Sequence, residues 1–130
     1  MSVDRAALVA GSFRLASGIA FLVDPVRASR LWGDPDVPVG HTRLLLVSLG
    51  YRDTLMGGLL AMAALRGRDT RGWFLASAGA DAADLLCYRS VHADLKRSQR
   101  LVTLVGGAVG VAGGLWGATR RGPKTSSSPS

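Results

Sequence analysis

Five ionisable residues stand inside otherwise apolar stretches of the chain: Arg14, Arg52, Asp53, Asp81 and Asp84. Guanidinium and carboxylate groups in such surroundings can pair with one another, hold a charged ligand or relay a proton. Arg14 is central in an apolar block over residues 6–23, Arg52 and Asp53 are near the centre of a block over 44–65, and Asp81 is central in a block over 73–88. Asp84 follows about 5 Å further along a helix axis, at 1.5 Å per residue. The middle of a spanning helix lies near the bilayer centre whichever way the helix points, so the five groups are expected in one layer. Exposed singly to lipid, each would cost roughly 2.5–3.5 kcal/mol on insertion scales, so they are expected to turn inward and pair. Two positive charges against three negative leave one carboxylate in excess. That carboxylate is expected either to carry a proton or to bind something.

The blocks that position these groups predict an all-α fold, an integral membrane four-helix bundle. The chain is 48% hydrophobic and only 19% charged, which a membrane explains more simply than a soluble core does. All nine acidic residues are Asp, so the Glu-bearing polar faces of water-exposed helices are missing. A fourth block, 101–119, contains no charge at all. A soluble bundle would need a polar face there, which argues against that reading. The first block is read as a helix and not as a cleaved leader, because Arg14 splits its apolar core and Asp24-Pro25-Val26-Arg27 follows it. The third block is only 16 residues long and is the weakest span by hydropathy. Four spans, at about 6–23, 44–65, 73–88 and 101–119, therefore make one domain over 1–119. The Ser-rich remainder, 120–130, is expected to be a disordered tail. In the linker over 24–43, Val26 to Trp32 is expected to be either a short surface helix with Trp32 as an interfacial anchor or a plain loop.

Helical spacing gives each charged block one stripe of small and polar residues: Gly11, Arg14 and Gly18; then Gly50, Asp53, Gly57 and Ala61; then Ser77, Asp81, Asp84 and Tyr88. The fourth block contributes Gly106, Gly110 and Gly114 at successive i+4 positions, together with Gly113 and Gly117. Gly18, Gly57, Gly106, Gly110 and Gly114 are accordingly the expected helix-packing positions, since small residues let backbones approach closely. The charges then act either as a structural staple or as the lining of a small ligand pocket. The alternative is a proton- or solute-conducting, transporter-like component, which in so small a chain would act as an oligomer. Expected partners are the lipid bilayer and a second copy or a partner membrane subunit. The expected location is a cell membrane, crossed several times. Orientation is undetermined, because the basic loop residues divide seven to seven between the two sides.

Other chemistries find no support. The net charge of +7 arises from short basic clusters between apolar blocks, without a basic helix or interleaved aromatics, so nucleic acid is not an expected partner. Cys87 is alone and is read as a small apolar filler. His41 and His92 have no second ligand at metal-binding spacing. The intramembrane serines have no His within reach to activate them, and no phosphate-binding GxxxxGK[ST] loop is present. Asp81-x-x-Asp84 could hold Mg²⁺ and superficially resembles the Asp pairs of lipid phosphotransferases that use CDP-alcohols. Leu85-Leu86-Cys87-Tyr88 follows instead of that family's Gly and Ala-Arg element, and its later Asp pair is missing. No catalytic residue, metal site or cofactor is therefore assigned.

With these residues in place, the chain resembles small four-helix bacterial membrane proteins of unknown function, some of them termed DoxX-like. The resemblance rests on Arg14-x-x-x-Gly18, on Gly50-x-Arg52-Asp53-x-x-x-Gly57 and on the Asp81/Asp84 pair, and covers about residues 5–118. It implies an inner-membrane location and leaves the biochemistry open.

Overall fold

The computed structural model describes residues 3–32 and 40–120. Five helices account for nearly all of them: α1 (Arg5–Val23), α2 (Pro25–Leu31), α3 (His41–Leu65), α4 (Arg71–Val91) and α5 (Arg97–Thr119), with one 3₁₀ turn (His92–Asp94) between the last two. The disordered tail expected from residue 120 falls, beyond Arg120 itself, outside the described residues, as does the middle of the 24–43 linker.

Local chemistry sets the boundaries. Asp4 opens α1 by accepting a hydrogen bond from the Ala7 N–H at 3.2 Å. Asp24 serves two helices, donating its backbone N–H to the Ala20 carbonyl to close α1 and accepting from the Arg27 N–H at 3.0 Å to open α2. Pro25 stands in the first turn of α2, where its missing N–H costs nothing. The linker segment that could have been a loop is therefore helical through Leu31. At the far end of α3, Gly67 takes a positive φ of 60°, and the Arg68 N–H reaches back to the Ala63 carbonyl at 2.9 Å. This left-handed closure reverses the chain into α4.

The helices associate as two tight pairs, α1 with α3 and α4 with α5, and contact between the pairs is sparse. Glycine allows the first pair to close. A Cβ on Gly11 would fall 2.6 Å from the Ala61 nitrogen, and one on Gly50 would fall 2.8 Å from the Gly18 carbonyl oxygen. Only residues without a side chain tolerate such an approach. The buried core is small and sits at one end, where Ala7, Leu60, Ala64, Phe74 and Ala118 meet. Asp4 ties that end together, accepting from the Thr70 hydroxyl at 3.2 Å and pairing with Arg120 at 3.3 Å.

The large apolar side chains point outward. Phe13 is 71% exposed, Val109 65% and Leu101 65%, and Val9, Val23, Leu44 and Trp116 stand similarly free. Exposed apolar surface on this scale marks contact with an apolar surrounding. α1, α3 and α5 are each long and apolar enough to cross a membrane. At 21 residues α4 has the length, but Arg71, Asp81, Asp84 and Arg89 deprive it of the composition.

Candidate functional site

Arg14, Asp53 and Asp81 are the middle residues of α1, α3 and α4. At that level the side chains of the three helices reach one another, and there the charges meet. Arg14 presents its guanidinium edge to Asp81, Nη1 donating to Oδ2 at 3.0 Å and Nη2 to Oδ1 at 2.7 Å. Arg52 repeats the arrangement one turn along, with Nη1 to Asp84 Oδ1 at 3.0 Å and Nη2 to Asp84 Oδ2 at 2.8 Å. Asp53 joins the two forks: its Oδ1 accepts from Arg14 Nε at 3.1 Å and from Arg52 Nε at 3.4 Å. Five side chains from three helices form one continuous ionic lattice. Two-pronged geometry of this kind is the strongest that side-chain ion pairs adopt, and it fixes orientation as well as distance.

The lattice is graded in exposure. The Arg14, Asp53 and Asp81 side chains are 16%, 15% and 14% exposed, whereas Arg52 and Asp84 reach 31% and 45%. The outer fork faces a cavity of about 390 Å³. Arg52, Asp53, Asp81 and Asp84 form its polar floor, Phe21, Trp32, Leu46, Leu49, Leu95 and Val102 supply apolar wall, and Gln99 and Thr103 add polar groups from α5. α2 contributes Ser29 and is followed by Trp32, whose ring lies 6.3 Å from that of Phe21. Trp32, read from sequence as an interfacial anchor, therefore packs at the cavity. Arg14 does not line the cavity; it stands behind the floor and holds Asp53 and Asp81.

The glycines divide by role. Gly18 and Gly57 lie in the α1–α3 contact, and Gly114 packs on Ala78 and Phe74 of α4. Gly110 faces the Asp81 carboxyl group, where a Cβ would fall 2.6 Å from Cγ, so its bareness leaves room for the carboxylate to reach Arg14. Gly106 looks toward Trp32 at 3.4 Å and not toward a helix, while a Cβ on Gly113 would meet nothing within 4 Å. Gly107, not singled out by the i+4 stripe, is pressed against Leu85.

Other residues lie apart from the lattice. Ser77, on the same stripe as Asp81, is buried with no hydrogen-bond partner for its hydroxyl among the described residues. The Tyr88 ring lies tilted against that of His92, their centres 5.9 Å apart. Cys87 is exposed, so it is not the packing filler its size suggested; α5 packs on the other face of α4, against Phe74, Ala78, Asp81 and Leu85. Among the described residues no three His, Cys, Asp or Glu side chains gather as they would around a metal ion. Sequence reasoning missed Asp4 as a tie between helix ends, although an Asp three residues before Ala7 at the head of an apolar run is a capping signal. Sequence spacing points to a small pocket at the charges but not to its apolar walls, which arise from helix pairing and leave no local pattern.

These features define an all-helical chain with three helices able to cross a membrane and a mixed-charge lattice between its two helix pairs. Residues 11–122 match the domain of unknown function DUF4267, and the chain belongs to that family. No curated protein and no solved structure matches it.

Proposed function

We propose that the chain is a non-enzymatic, multi-pass protein of the cell inner membrane in which α1, α3, α4 and α5 all span the bilayer. In this reading the Arg/Asp lattice staples the two helix pairs together and closes the inner end of a small ligand pocket. The observation that carries it is the pair of forks from Arg14 to Asp81 and from Arg52 to Asp84, which bridge helix pairs that otherwise touch little. The same pairing lets α4 cross despite its charges, because its two carboxylates are turned to guanidiniums and away from lipid. At 1.5 Å per residue its 21 residues reach about 30 Å, the thickness of a hydrocarbon core.

A conducting role receives less support. The core of Ala7, Leu60, Ala64, Phe74 and Ala118 fills the end of the bundle opposite the cavity, so a path through one chain would have to pass that packing. The Gly110 and Gly114 face of α5 is occupied by α4 of the same chain, and a second copy or partner subunit would dock elsewhere.

A double-mutant cycle tests the staple. Arg14→Met and Asp81→Asn each remove one side of a fork, and thermal unfolding in detergent is expected to show them strongly destabilising singly. The double variant is expected to lose less than the sum, by at least about 1 kcal/mol. Strict additivity would refute the staple.

A further inference from the structure

Taking the pocket reading above as its basis, we infer that the cavity holds a small monocation with an apolar body, a molecule carrying one protonated amine, seated with its head at the Asp53 and Asp84 carboxylates.

Charge is the first argument. The lattice contains three carboxylates against two guanidiniums and is one negative charge from neutrality. In a partly desolvated site an unbalanced charge is costly, and a monocation removes the imbalance where an anion would deepen it. Position is the second. The hydrogen bonds to Asp53 from both arginines fall on Oδ1, so among the described residues Oδ2 has no donor, and Asp53 lines the cavity. Asp84, at 45% exposure, is the most accessible carboxylate of the five-membered lattice. Both therefore offer oxygen to an ammonium group entering from the cavity.

The walls give the third argument. Leu46, Leu49, Leu95 and Val102 suit a hydrocarbon body, and Phe21 and Trp32 add aromatic rings, a group type that attracts cations. A volume of about 390 Å³ is in the range of small-molecule sites. Basic residues at the same end oppose cation approach only weakly. Of the seven basic residues at that end, Arg27, Arg30, Arg43, Arg89, Lys96 and Arg97 are exposed to solvent, Arg27 is also paired with Asp24 at 3.4 Å, and the Arg100 guanidinium is held by the Leu95 and Ala93 carbonyls. Exposed charges are screened over about 8 Å at physiological ionic strength.

The test uses the full chain in detergent with Trp73→Phe and Trp116→Phe, which leaves Trp32 as the sole tryptophan and a reporter of the cavity. Its fluorescence is titrated with three probes on one skeleton: 2-phenylethylammonium, neutral 2-phenylethanol and anionic 3-phenylpropanoate. The ammonium is expected to saturate at a concentration at least about tenfold below the alcohol, with no saturation by the carboxylate. Asp84→Asn should abolish the ammonium's advantage over the alcohol. The ratio of ammonium to alcohol in the unaltered cavity decides the matter even if that variant does not fold. Equal binding of alcohol and ammonium, or tighter binding of the carboxylate, overturns the cation while leaving the pocket in place. Failure of all three probes to saturate overturns the pocket itself, and the inference with it.

Discussion

Arg14 on α1 and Asp81 on α4 face each other as parallel forks 67 residues apart in sequence, with donor and acceptor 3.0 Å and 2.7 Å apart along the two prongs. Each is the middle residue of its helix, so the contact sits equally far from both ends of the bundle. The second fork, from Arg52 to Asp84, lies one turn nearer the cavity and is more exposed. Two chemically identical contacts thus differ in surroundings, and their energetic weight should differ accordingly.

Replacing Arg14 by Lys keeps the charge and removes the planar fork that serves Asp81 and Asp53 together. Breaking a buried pair costs about 3–5 kcal/mol, and with about a sixth of the side chain exposed the expected loss is near the lower end, about 3 kcal/mol. Arg52→Lys should cost less, about 1 kcal/mol, because its fork is more solvated. Chemical unfolding in mild detergent ranks the two. A larger loss at Arg52 would contradict the graded lattice.

How much of this was legible in the sequence follows from what each feature depends on. The long helices were, because each apolar block is bounded by polar or turn-forming residues and the charged blocks are interrupted by only one or two charges near their centres. The layer shared by Arg14, Asp53 and Asp81 could be inferred from depth alone, since depth depends only on position along each helix. The partnering could not: that Arg14 takes Asp81 while Arg52 takes Asp84 depends on which helices are neighbours, and adjacent residues Arg52 and Asp53 pair across helices as well as with each other. The helical course of Pro25–Leu31 hinged on Asp24 and Pro25, signals that a reading focused on spans left undecided. The cavity walls are drawn from α1, α2, α3, α4 and α5 together, a tertiary property with no local signature.

Glycine positions supply a matched pair of substitutions. Gly57→Leu would drive a side chain into the Leu15 backbone and the Gly11 carbonyl, and should cost about 3 kcal/mol by forcing α1 away from α3. Gly113→Ala meets nothing within 4 Å and should stabilise α5 by up to about 1 kcal/mol through helix propensity. Thermal denaturation of both variants in one detergent checks the contrast; equal effects would mean that the α1–α3 approach is not as close as the structure has it.

Exposed side chains such as Phe13, Val109 and Leu101 predict how the protein partitions. It should stay with membranes through carbonate and high-salt washes and leave only with detergent. Release by the washes would mean that these faces are covered by protein and not by lipid.

The central claim is that α4 crosses the membrane with Asp81 and Asp84 held inside it by arginines from α1 and α3. Single cysteines at the two ends of α4, Arg68→Cys and Asp94→Cys, in a Cys87→Ser background, test this directly in sealed vesicles with a membrane-impermeant maleimide. The account predicts that the two positions label from opposite sides. Labelling of both from the same side would place α4 outside the bilayer and contradict it.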